Sequence, residues 1–260
     1  MLPFSLFEKE RQEDKMTKEE LFGRLKEHYK EIIEKMDITD QAVHVKCRGL
    51  LPEEAIGKTD RVDMPIMNGK EIMIQAEVDG YIGQAFTSTA CSYQGTLQDI
   101  LNMEIVEDGY NRAVFIATLN ALMRKNEECD RTIHCKDRGP NDCAKKTREW
   151  IREHFGCPKI TLIGYQPFLL EEMAKEFPTR VLDLNPDNIG DERYGVMVED
   201  GFEACDDAIA WADIVFCTSS TLGNATIVDY MNLGKPTYFY GTTGCCAAAL
   251  LGLERSCYAD

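Results

Sequence analysis

Basic charge is scarce in this sequence. Its 260 residues carry 29 Lys and Arg against 45 Asp and Glu, a formal net charge of −16. Nucleic-acid and anionic-membrane surfaces need a basic footprint, so neither partner is expected. Long apolar runs are missing too, none approaching the roughly 20 residues that span a bilayer. The opening MLPFSLFEKERQEDK lacks the basic n-region and extended apolar core of a signal peptide, so a cytoplasmic location is expected. Several chemical fingerprints are also absent. There is no G-x-G-x-x-G, P-loop, H-E-x-x-H or nucleophile elbow, and no two cysteines are spaced C-x-x-C. No NAD is expected, and the spacing matches no standard zinc finger.

What the chain does have is ordinary globular material and an excess of cysteine. Hydrophobic residues make up 44% and charged residues 28%, enough for a sizeable core in one large or two small domains. The 11 cysteines, in a chain without an export signal, are not expected to form a disulfide framework. Some read as buried small hydrophobes, Cys217 in Ile214-Val215-Phe216-Cys217 being the clearest. A subset could instead hold a metal or cluster.

Residues 1–16 read as a charged arm, frayed or docked on a partner subunit. Thr17 with Glu20 forms a capping box, and Leu21, Leu25, Tyr29, Ile32, Ile33 and Met36 recur at helical spacing. His28 falls beside that stripe and reads as a packing histidine. Strand-like stretches follow at Ala42 to Arg48 and Glu71 to Val78, with 84–95 a third strand or a loop. Residues 108–125 are apolar nearly all round and predict a central helix. Residues 17–125 therefore read as a small α+β domain, and the polar stretch 126–143, with its Gly139-Pro140, as a linker.

From residue 144 to 260 the rhythm becomes α/β. A helix over 144–155 leads into KITLIGYQPF at 159–168, where Ile160 to Ile163 is an apolar run stopped by Gly164. That pattern predicts a strand buried on both faces, with Pro167 in the first turn of the next helix. Strands are expected near 180–183, 195–199, 213–218 and 237–240, and helices near 204–212 and 224–233. Such a parallel sheet gathers ligands at its strand carboxyl ends.

Two constellations could carry chemistry. His134-Cys135 and Cys143 place an imidazole and two thiols within ten residues, donors that suit a soft or borderline transition metal. Cys257, or the Cys245-Cys246 pair, could complete the set, and an Fe–S cluster would have to draw on several of these segments. The second constellation is the strand-end row. It comprises Gly164, Tyr165, Gln166, Asp183, Asn185, Ser219, Ser220, Thr221, Asn224, Thr242 and Thr243, which suit an anionic or polar small molecule. The same residues also serve as ordinary turns and caps. Residues 86–95, with Cys91, could form the facing wall of a cleft.

Ordered strings in the chain carry a resemblance. They are GQAFTSTACSYQGTL (83–97), NALMR (120–124), IHCKDRGPNDC (133–143), LIGYQPFL (162–169), LDLNPDNIG (182–190), ADIVFCTSSTLGNATI (212–227) and YGTTGCCAAALLGLERSC (240–257). With them the sequence resembles the putative heavy-metal chelation family. The resemblance implies an enolase-N-terminal-like domain followed by a Rossmann-like domain. Ser219 and Ala225 stand where that family tends to carry glycine. The expected function is binding of a transition metal, or a metal-bearing small molecule, in an interdomain cleft of a homo-oligomer. Alternatives are an enzyme acting on a polar small molecule at the strand ends and a non-catalytic accessory subunit.

Overall fold

The computed structural model describes residues 15–46, 50–58, 61, 63–64, 66, 72–88 and 92–258. Residues 1–14 of the arm expected at 1–16, and the candidate wall residue Cys91, lie outside them. Helix α1 (Lys18–Lys35) opens on the expected capping box, with the Thr17 side chain accepting from Glu20 N and Glu20 reaching back to Thr17 N. Its apolar stripe is buried, and Tyr29 stacks on Phe115 with ring centroids 5.1 Å apart. His28 is half-buried, with Nε2 2.5 Å from the Glu128 carboxylate.

Strand β1 (Ala42–Lys46), the short helix α2 (Pro52–Ile56), β2 (Ile72–Val78), β3 (Tyr81–Thr87) and β4 (Tyr93–Thr96) follow. The four strands form an antiparallel sheet in the order β3-β2-β1-β4, so the ambiguous stretch at 84–95 contributes to two strands. A short helix α3 (Leu97–Leu101) leads to α4 (Gly109–Lys125). Every residue of α4 from Arg112 to Met123 is buried, as its all-round apolarity predicts. It packs on β2 and β3.

Helix α5 (Gly139–Phe155) begins five residues before the expected start, because Gly139-Pro140 opens the helix rather than ending a linker. Proline suits this place, its missing N–H being one a first turn leaves unpaired anyway. Then come β5 (Ile160–Ile163), α6 (Pro167–Ala174), β6 (Thr179–Asp183), β7 (Glu192–Arg193), β8 (Val196–Asp200), α7 (Cys205–Trp211), β9 (Ile214–Thr218), β10 (Thr237–Tyr240), α8 (Cys245–Leu251) and β11 (Arg255–Ser256). The second sheet runs β11-β10-β9-β5-β6-β8-β7, parallel throughout except where β7 meets β8. All four residues of β5 are buried. Alternate residues of the central strands face opposite layers. Ile160, Leu162 and Phe216 join α5 and α6, whereas Ile163, Val215 and Cys217 share a core with α4, α7 and α8.

The helix expected at 224–233 is not there; only a 3-10 turn, Ile227–Asp229, forms. Asn224 Oδ1 accepts from Thr226 N (3.1 Å) and Thr226 Oγ1 (2.7 Å), a local turn that competes with helix. Ala225 sits at φ +66°, in the left-handed region where glycine is at ease. Among the described residues no helix is long and apolar enough to cross a membrane.

Candidate functional site

Strand order reverses about β5. The chain goes from β5 to β6 on one side, and β9 and β10 return on the other. Loops leaving β5 and β9 therefore diverge, and a cavity of about 260 Å³ opens at their carboxyl ends. Gly164 ends β5 at φ +87°, and a Cβ there would stand 2.7 Å from Thr218 Cγ2. Gly164→Ala is therefore expected to lower the unfolding free energy by about 2–4 kcal/mol, the sum of the left-handed penalty and the clash. A urea denaturation midpoint close to wild type would contradict this.

Of the strand-end candidates, Gly164, Tyr165, Gln166, Asp183, Ser220, Thr221, Asn224 and Thr242 line the cavity; Asn185, Ser219 and Thr243 do not. Several are already engaged. Asp183 Oδ2 accepts from Tyr165 N (2.8 Å) and Oδ1 from Asn185 N (2.6 Å), so the carboxylate ties two turns together. Gln166 caps α6 by accepting from Leu169 N at 2.6 Å. Thr221 Oγ1 donates to Thr218 O (2.7 Å), and Thr243 Oγ1 accepts from Phe86 N (3.0 Å).

The opposite wall carries the soft donors. His134, Cys135, Cys143 and Cys257 all line the same cavity. Three connections bring them there. Residues 132–134 lie along β3, Thr132 Oγ1 donating to Ile82 O (2.6 Å) and His134 N to Gln84 Oε1 (2.7 Å). Gly139 lets α5 start against Cys135, since a Cβ there would lie 2.9 Å from Cys135 Cβ. The C-terminal strand is held by Arg131 Nη1 donating to Cys257 O (2.6 Å), while Tyr258 directs its backbone N–H at Cys143.

Burial pushes the Cys135 thiol up to about 12, and neighbouring Cys143 and Cys257 add to the rise. Cys143 is also raised by burial and by Cys257, against the opposing Tyr258 N–H and Lys146. Burial lowers the His134 pKa, against a weaker upward pull from the Cys135 carbonyl. His134 Nδ1 lies 2.7 Å from Cys135 O. A carbonyl cannot donate, so Nδ1 carries the proton and Nε2 presents a lone pair, the form that binds metals. Even so, among the described residues no three His, Cys, Asp or Glu side chains converge as a group able to hold a metal ion. The four candidates share a wall, not a ready coordination sphere.

Charge in the cavity is one-sided. Among the described lining residues there is no Lys or Arg, and Asp183 is the only carboxylate. Cys245 and Cys246 lie outside it. Both are fully buried at the start of α8, Cys245 Sγ donating to Arg131 O at 3.2 Å.

Asn120, Gln84 and Ser256 were not singled out by sequence patterning. Asn120, fully buried in α4, bonds to Gln84 O (3.1 Å), Thr242 O (3.3 Å) and Thr243 O (3.1 Å) and accepts from Cys246 N (2.8 Å). It thereby joins the antiparallel sheet to the loop after β10. An amide within the mostly apolar run from Ala113 to Met123 was the available signal.

Residues 151–249 match the model of DUF364, a family described as "Putative heavy-metal chelation". Over that span, less than half of its length, the chain is similar to the DUF364 family. Two solved DUF364 proteins of unknown function have similar folds. One, from Pyrococcus horikoshii, is 16% identical with a TM-score of 0.53, over 86% of this chain and 80% of that one. The other, from Desulfitobacterium hafniense DCB-2, is 12% identical with a TM-score of 0.52, over 89% and 83%. At such identities the likeness concerns fold alone. No curated protein matches the chain. The span matched to DUF364 holds the strand-end row, whereas His134, Cys135, Cys143 and Cys257 lie on either side of it.

Proposed function

We propose that this chain binds a thiophilic transition-metal ion, or a small molecule carrying one, in the cavity between its two sheets. The observation that carries the reading is the make-up of that cavity: three neighbouring thiols, an imidazole with Nε2 unprotonated, and no Lys or Arg among its described lining residues. Buried thiols become thiolates only when a positive charge offsets them, and a divalent ion supplies it. His134, Cys135, Cys143 and Cys257 would hold the metal, with Gly164, Ser220, Thr221, Asn224 and Thr242 beside any organic part. A bound metal would supply Lewis acidity, or store the ion as cargo. Because the donors do not yet converge, binding must draw the wall together, which lowers affinity relative to a preorganised site.

Other features support the same picture. The strand order about β5 agrees with a Rossmann-like reading of residues 144–260, and the antiparallel sheet of 17–125 with an enolase-N-terminal-like one. The cavity is smaller than the roughly 300–1,000 Å³ of pockets for drug-sized ligands, which favours an ion or compact chelate over a dinucleotide. All nine described cysteines are free thiols, as suits a reducing compartment such as the cytoplasm. The test is elemental analysis after anoxic purification and reconstitution with zinc or cobalt(II). About one metal ion per chain is expected, lost in the His134→Ala/Cys135→Ser double variant. No metal after anoxic reconstitution would end the proposal.

A further inference from the structure

Phe202 is the most exposed large apolar side chain among the described residues, 79% open to solvent, and Leu184 is 44% open. The two are close, since a Cβ on Gly201 would stand 3.0 Å from Leu184 Cδ2. Both line an open groove of about 1410 Å³, to which Ile209 of α7 and Val228 and Leu233 of the following turns also contribute. That volume exceeds the roughly 300–1,000 Å³ of small-ligand pockets, so a length of polypeptide suits it better. A contiguous apolar surface left open in this way marks an interaction site.

The start of the chain leads to this groove. Lys15 lines it, and Lys15 Nζ stands 2.8 Å from Asp229 Oδ1. Both side chains are about half exposed, so the pair adds little energy, but it marks where residues 1–14 join the fold. Residues 8–14 can span up to about 25 Å when extended. Helix α7, which forms one side of the groove, is only about 10 Å long. The head beyond them, Leu2 to Phe7, carries Leu2, Phe4, Leu6 and Phe7 and no charged side chain. Groove and cavity share Leu184, Gly201, Thr226 and Tyr230, so a segment lying in the groove stands beside the cavity.

We propose that residues 2–7 dock in the groove of their own chain, with their apolar side chains against Phe202 and Leu184, and so form one border of the cavity. The link through residues 8–14 favours the chain's own head over that of a second copy, because a short linker sets an effective concentration in the millimolar range. Nothing in this depends on a metal. Cys205 supplies the measurement. It lines the groove, half-buried, with Sγ 3.9 Å from Tyr230 Oη. Exposed Cys157 precedes β5, at the opposite end of the sheet, and serves as the control.

Alkylation of both thiols by iodoacetamide is followed in the full chain by mass spectrometry. Phe4→Glu/Phe7→Glu should speed the reaction of Cys205 about tenfold, since burying two phenylalanines is worth more than a tenfold change in docking. Cys157 should react as before, which also shows the fold to be intact. Phe202→Glu, at an exposed position, should speed Cys205 as well. Adding the head substitutions to it should then change the rate by less than about twofold, because both act through one contact. Equal Cys205 rates in the wild type and the head variant, or fully additive effects of the head and Phe202 substitutions, would overturn the docking. Protection that disappears on dilution, with a dimer seen by sedimentation, would give the groove to the head of a second copy and overturn docking within one chain.

Discussion

Cobalt(II) titrated into the anoxic protein is expected to bind more tightly as pH rises, by at least about a hundredfold per unit between about pH 6 and 8, the contribution of Cys135 and Cys143 alone. The sign follows from the protons. Cys135, pushed by burial to about 12, and Cys143, also raised, both hold their protons across this window, so each must release one to bind metal. Every proton released contributes one factor of ten per pH unit. His134 contributes none, because burial lowers its pKa and its Nε2 is already free. Cys135→Ser should reduce the slope by one factor of about ten per unit and weaken binding at pH 8 by about a hundredfold or more, since outer-sphere groups alone are worth 10–100-fold. His134→Ala should weaken binding and leave the slope unchanged. Thiolate-to-cobalt absorption in the near ultraviolet reports both quantities. A pH-independent affinity, or a full slope in Cys135→Ser, would remove that thiol from the ligand set.

Asn120→Leu is expected to have the largest effect on stability, about 4 kcal/mol or more. The change keeps approximate volume but strips one buried amide from four backbone groups: Cys246 N and the carbonyls of Gln84, Thr242 and Thr243. A buried polar group left unpaired costs about 1–3 kcal/mol, and several lose this partner together. The damage should also reach the cavity, since the loop so anchored carries Thr242. Urea denaturation with cobalt(II) affinity measured on the same variant tests this. A stability loss below about 1 kcal/mol would show that the amide does not hold the two sheets together.

Much of the frame was legible along the chain. The capping box at Thr17, the central helix through Ala117 and the buried run Ile160 to Ile163 are set by local patterns. Spacing, caps and a terminating glycine act over a few residues, so they survive without knowledge of the fold. The reading failed where a local side chain outbid the pattern. Asn224 and Ala225 turn residues 224–233 away from helix, and Gly139-Pro140 begins a helix instead of closing a linker.

The sequence by itself determined which donors exist: an imidazole and thiols at 134, 135, 143 and 257, hydroxyls after the strands, and an excess of acidic over basic residues. Only the tertiary structure decided that the two constellations face one another. That depends on contacts more than 100 residues apart, Arg131 to Cys257 and Asn120 to Thr242 and Cys246. It also decided which groups have hydrogen-bonding capacity to spare. Asp183 looks like a ligand-binding acid in the sequence but is committed to two backbone amides, whereas Ser256, unmarked in the sequence, keeps its hydroxyl unpaired. Hydrogen-bond satisfaction is a property of the folded neighbourhood, and no run of residues read alone contains it.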